Sequence, residues 1–150
     1  AEVGRRHRSP VQMMHLRNGI FDEASVSVMT SATVGEIARL AAHRPDVRRF
    51  RPNILIASMR SVPFEEDEWV GGIVSFGEGI DAAAVGVTMR DVRCSMVNLD
   101  PDSARADAEV LKAIVRVKDN KAGVYGTVTR RGCLAVGQPI FFEPAAPAIS

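Results

Sequence analysis

Short apolar runs broken by glycine and proline fill most of this chain, and only two stretches carry helical spacing. The two stretches lie far apart and do not alternate regularly with the strand-like runs. A doubly wound parallel sheet needs that alternation and is disfavoured. The order predicts a mixed α/β, β-rich fold, namely a mostly antiparallel barrel or curled sheet with peripheral helices.

Residues 24–29 alternate small or polar with apolar side chains, which predicts a strand. Thr30-Ser31-Ala32-Thr33 then offers several helix caps. Thr33 with Glu36 has capping-box spacing, and Ser31 is an alternative N-cap. Val34, Ile37, Ala38 and Ala41 recur at helical spacing, and Pro45 stops that helix. Further strands are expected at Ile54–Ile56, Ile73–Phe76, Ile80–Met89, Cys94–Asn98, Val124–Thr129, Leu134–Val136 and Ile140–Phe142. Asp100-Pro101-Asp102-Ser103 reads as a turn. Val110, Leu111, Ile114, Val115 and Val117 mark one face of a second helix, ended by Asp119-Asn120 and Gly123.

Of the 150 residues, 46% are hydrophobic and 25% charged, enough apolar material for one core and one domain. The 19 basic and 18 acidic residues nearly cancel, so there is no global attraction to nucleic acid or to an anionic membrane. No apolar run reaches the ~18 residues of a membrane span, and no secretory leader is visible. Two cysteines are too few for a disulfide framework, and reduced thiols in the cytoplasm are expected. Residues 1–20 read as a tail or linker, 21–143 as the domain and 144–150 as a second tail. Arg5, Arg6, His7 and Arg8 form a basic cluster in the first tail.

His7, His15 and His43 lie at no metal-ligand spacing from a cysteine or carboxylate, and phosphate-loop and nucleophile-elbow motifs are missing. The acidic run Glu65, Glu66, Asp67 and Glu68 reads as a solvated face. Arg48, Arg49 and Arg51 surround Phe50, which suggests partial burial. Arg51-Pro52-Asn53 places a guanidinium and a carboxamide on a stiffened backbone, suited to a phosphate or carboxylate. An ion pair of Arg51 with Glu66 or Asp67 is the equal alternative. The Thr30–Thr33 junction offers free N–H groups and hydroxyls as an anion seat, although simple capping is commoner. Cys94 follows Arg93, whose charge favours a thiolate able to bind a soft metal or act as a nucleophile. A buried, inert thiol is the competing reading there, and the adopted one for Cys133.

The motifs together resemble one family. Phe21-Asp22-Glu23-Ala24-Ser25 with the following strand and Thr30–Thr33, then Arg49-Phe50-Arg51-Pro52-Asn53-Ile54, then Phe64–Trp69, are similar to successive segments of the MOSC domain. Arg93-Cys94 with Asp100-Pro101, Gly123-Val124-Tyr125-Gly126 and Val136-Gly137-Gln138-Pro139-Ile140 continue the match in order. Gln138 stands where the family often has Asp, and only residues 1–20 precede the match where larger relatives carry another β domain.

The resemblance implies a MOSC-type β-barrel and the molybdenum cofactor (molybdopterin). It implies that Cys94 ligates molybdenum in a reductase of N-oxygenated compounds, or carries sulfur for the cofactor. Thr30, Ser31, Thr33, Arg51, Asn53 and Arg93 would hold the pterin or its phosphate. The partner would be an electron-transfer protein or a pyridoxal-phosphate-dependent sulfur donor. A non-catalytic β-barrel module binding an anion or a partner through its arginines is the alternative. A nucleic-acid role for the Arg5–Arg8 segment ranks last.

Overall fold

A computed structural model describes residues 23–146. The expected tail at 1–20, with the Arg5–Arg8 cluster, His7 and His15, lies outside the described residues. The elements are β1 (Val26–Thr30), α1 (Ser31–Leu40), β2 (Ile54–Ile56), β3 (Ile73–Phe76), β4 (Ala83–Val92), α2 (Glu109–Lys118), β5 (Lys121–Arg130) and β6 (Ile140–Glu143). Short 3-10 turns occupy Val47–Arg49, Glu65–Trp69 and Ser95–Asn98.

All six strands form one sheet in the order β2-β1-β5-β4-β3-β6. Only the β1–β2 pair is parallel; the other four pairs are antiparallel. The sheet is a curled half-barrel rather than a flat layer. Val28 of β1, Ile56 of β2, Val74 of β3, Val85 of β4 and Val124 of β5 share one buried cluster, and Ile140 of β6 packs on it. In a flat sheet β2 and β6 would be five strand spacings apart, about 24 Å, too far to share a core.

The other face carries the helices. Ile37 of α1 and Ala113 and Ile114 of α2 bury a second cluster with Met29, Phe50, Val97 and Ala122. Val28 faces one core and Met29 the other, as a strand's period of two requires. Ala122 and Val124 break that period by facing different cores. Between them Gly123 has φ +81°, and the β4–β5 register shifts between Arg90 and Val92. A bulge at a left-handed glycine turns the strand over at this point.

Four expectations are corrected. Cys94–Asn98 is not a strand; the ladder ends with the Arg93 N–H donating to the Asn120 carbonyl (2.9 Å), and a 3-10 turn follows. Leu134–Val136 is irregular, because Gln138 folds back to accept from the Ala135 N–H (3.0 Å) and the segment turns. The N-cap of α1 is Thr30, the first of the four residues offered as caps, rather than Thr33 or Ser31. The acidic run is not a solvated face: Glu65 and Glu66 are buried, drawn inward on a turn bracketed by Phe64 and the buried Trp69. Among the described residues no helix is long and apolar enough to cross a membrane.

Candidate functional site

β4 is antiparallel to β5 and β5 to β1, so β1, β2 and β4 run in one direction. Their carboxyl ends share one end of the sheet. Thr30 leads into α1 there, and Arg93-Cys94 follow β4 there.

Cys94 is exposed and in no disulfide. It caps the turn Ser95–Asn98, and its side chain makes no capping bond. The Val97 N–H closes the turn on the Cys94 carbonyl (3.4 Å), and Leu99 N–H donates to the Met96 carbonyl (3.1 Å).

The Arg93 side chain turns into the fold. Its Nε donates to the Ala122 carbonyl (2.7 Å) and Nη1 to the Phe50 carbonyl (3.0 Å). Nη2 lies 2.8 Å from Oδ2 of buried Asp91, a charge pair whose angle falls outside hydrogen-bond geometry. The guanidinium also stands over the Phe50 ring, 5.6 Å from its centre. Burial pushes Arg93 down from the ordinary guanidinium value, while Asp91 first, then Tyr125, Cys94 and Glu66, pull it back up.

Arg49 makes the reciprocal contact. Its Nη1 donates to the carbonyls of Val97 (3.4 Å) and Asn98 (3.2 Å), and its Nη2 pairs with Asp100 Oδ2 (3.1 Å). Only 9% of this side chain is exposed, as the apolar Phe50 beside it suggested. Sequence reasoning gave Arg49 no separate role, because nothing in the chain order brings residues 49 and 97–100 together. Arg48 is exposed and pairs with Asp46 and Asp102, each at 2.8 Å.

Arg51 is exposed and has no ion pair among the described residues. Its two expected partners are engaged elsewhere, Asp67 with Lys118 (2.7 Å) and Glu66 with α1. Arg51 adopts φ +52°, a left-handed conformation costly for a side chain and doubly unusual before Pro52. Asn53 is used by the sheet. Its Oδ1 accepts from the Ser27 N–H (2.8 Å) and Ser27 hydroxyl (3.1 Å), at the start of β1 and β2. Asn53 therefore serves the start of β1 and β2, whereas Cys94 lies beyond the last residue of β4.

The Thr30–Thr33 junction already holds a carboxyl group, the protein's own. Glu66 Oε2 accepts from the Thr30 and Thr33 hydroxyls, both at 2.9 Å, and Oε1 from the Thr30 N–H at 3.3 Å. Thr30, Thr33 and Glu66 are each 0% exposed, whereas Ser31 is exposed. Burial pushes the Glu66 carboxyl above the ordinary carboxylate range, and its hydrogen bonds oppose the shift. The signal for this buried acid was the pair of large apolar residues, Phe64 and Trp69, flanking the run.

The remaining candidates do not join the site. Cys133 is exposed rather than buried, on the irregular segment before β6. His43 pairs with Asp107 (3.2 Å). Among the described residues no group of three or more His, Cys, Asp and Glu side chains is placed to hold a metal.

A half-barrel with two helices on one face and a cysteine beyond its fourth strand defines a small β-rich domain with an exposed thiol past the end of β4. A family model described as the MOSC domain matches residues 6–141. The chain belongs to the MOSC domain family. It is 31% identical over 130 residues to Mitochondrial amidoxime-reducing component 1 of Danio rerio, covering 80% of this chain and 37% of that one. Identity to Mitochondrial amidoxime reducing component 2 of Bos taurus is 25% over 138 residues, again 80% of this chain and 37% of the relative. The chain thus spans little more than a third of the length of these curated relatives. The crystal structure of the YUAD protein from Bacillus subtilis shares the fold, with a TM-score of 0.64 at 19% identity over 85% of this chain and 68% of that one. YiiM from Geobacillus stearothermophilus aligns with a TM-score of 0.57 at 20% identity, over 80% of this chain and 54% of its own.

Proposed function

We propose that this domain holds a molybdenum cofactor through the Cys94 thiolate and works in the reduction of N-oxygenated compounds, with electrons from a separate electron-transfer protein. The observation that carries the proposal is the accessibility of Cys94 at the shared carboxyl end of β1, β2 and β4. A thiolate suits a metal already held by sulfur. Cys94 as a solitary soft donor fits a metal whose other ligands arrive with an organic cofactor. The amidoxime-reducing names of the two curated relatives support the reductive chemistry.

When bound, the cofactor supplies two-electron chemistry that removes oxygen from nitrogen. The chain's own residues anchor and orient. Cys94 provides the sulfur ligand, and Arg93 holds the backbone just before it by bonding Phe50 and Ala122. The exposed Ser31 and Arg51 are donors left for a phosphate or pterin. Thr30 and Thr33 act on that end of the sheet through Glu66 rather than by contact. Two exposed, unpaired thiols suit a reducing compartment, the cytoplasm in our reading. Cofactor sulfur transfer is the second reading, favoured by the same exposure, since a persulfide on Cys94 would be open to a sulfur donor.

The test is to express wild type and Cys94→Ser in a host that makes the cofactor, and to measure molybdenum, pterin and reduction of an amidoxime. Stoichiometric molybdenum in wild type and its loss from Cys94→Ser are expected. Wild type devoid of both metal and pterin overturns the proposal. Cyanide-labile sulfur present on wild type and missing from Cys94→Ser selects sulfur transfer instead. Anion binding lost on Arg51→Ala but kept in Cys94→Ser selects a non-catalytic binding module.

A further inference from the structure

We infer that Arg49 is a positioning residue for Cys94, fixing the turn that presents the thiol. The inference rests on Cys94 being the working group of the domain. A single 3-10 turn has poor hydrogen-bond geometry and little stability of its own. The Ser95–Asn98 turn is closed by a 3.4 Å bond to the Cys94 carbonyl and a 3.1 Å bond to Met96, and its last residue is held from the α2 side, where Asn98 accepts from the Asp107 N–H and the Leu111 N–H, both at 2.9 Å. Arg49 adds a second brace, from the segment before β2. From a side chain only 9% exposed it reaches Val97 O, Asn98 O and Asp100 Oδ2, three acceptors on the far side of Cys94. Arg93 braces the near side by bonding Phe50, the residue after Arg49. Two guanidinium groups thus lace segments 48–50 and 93–100 together in opposite directions, with Cys94 between the braces. The fork geometry matters, because one planar guanidinium meets carbonyls and carboxylate at once, which an ammonium cannot.

The test uses Arg49→Lys in a Cys133→Ser background, with a nitroxide on Cys94 and amide hydrogen exchange read by residue. The melting temperature is expected to stay within a few degrees of its parent. The nitroxide spectrum sharpens, and protection of the Val97 and Leu99 amides falls by about tenfold or more, the effect of losing a charge-assisted hydrogen bond. The unlabelled variant also retains less molybdenum when made in a cofactor-producing host. A folded variant with unchanged spectrum and protection overturns the inference, as does a loosened turn with full molybdenum content. If Arg49→Lys fails to fold, Asp100→Asn, which removes the charge facing Arg49 Nη2, decides. Faster exchange of the Val97 and Leu99 amides than in wild type supports the brace, and unchanged exchange overturns it. Wild type without molybdenum refutes the proposed function, whereas the spectrum and exchange still report on Arg49.

Discussion

Glu66 reaches Thr30 across 36 positions of sequence, accepting from its hydroxyl at 2.9 Å and from its N–H at 3.3 Å. The amino end of α1 therefore has a carboxyl group of the protein's own bonded to its cap residue Thr30 and to the Thr33 hydroxyl, while the Thr33 N–H is taken by Thr30 Oγ1. Burial holds the Glu66 carboxyl above its ordinary 4.5, so unfolding releases a group that ionises more readily. The stability linked to this acid is full at low pH and is lost as pH rises from 4.5 toward the raised native value. Glu66→Gln keeps the shape and leaves an oxygen for the Thr30 N–H. In urea denaturation the variant should match wild type at low pH and gain on it, by up to about 1 kcal/mol, as pH rises to neutrality. A gain that instead shrinks with rising pH would contradict the assignment.

Gly123 stands where β5 changes face. A Cβ there would lie 3.0 Å from both Arg93 Nη2 and the Val28 carbonyl, at φ +81°. Gly123→Ala should cost about 1–3 kcal/mol in chemical denaturation, from left-handed strain and from displacing the buried guanidinium. A neutral result would mean the bulge relaxes without moving Arg93.

Asn53→Ala should behave unlike Cys94→Ser. Removing Oδ1 leaves the Ser27 N–H and hydroxyl without their acceptor, worth about 1–3 kcal/mol. Since the Asn53 carboxamide oxygen is spent on Ser27 at the start of β1, molybdenum per folded chain should be unchanged. Metal analysis of the soluble fraction separates the two effects.

Arg51 holds a strained conformation while its guanidinium is unused by the fold. Arg51→Gly should raise stability by about 0.5–1 kcal/mol through relief of the left-handed penalty. It should also weaken retention of an anionic ligand severalfold, measured as pterin kept through gel filtration. A stabilised variant with undiminished retention would remove Arg51 from the site.

Local chemistry decided much of this protein without help from tertiary contacts. Ile54–Ile56, Ile73–Phe76 and the two helices lie where apolar spacing and the flanking turn residues put them, because those signals act over a few residues. The absence of strand–helix alternation gave a mostly antiparallel, β-rich sheet, and the ordered motifs gave the MOSC family. Cys94 was legible as a candidate from its neighbour Arg93, but not its surroundings. The tertiary structure alone decided that Arg93 faces inward, that Arg49 reaches the turn after Cys94, that Glu66 fills the Thr30–Thr33 junction and that Asn53 ties the start of β2 to Ser27 of β1. Each of these joins residues at least 26 positions apart. A buried charge or amide takes whichever partner the fold brings within hydrogen-bond reach, and spacing along the chain carries no record of that meeting.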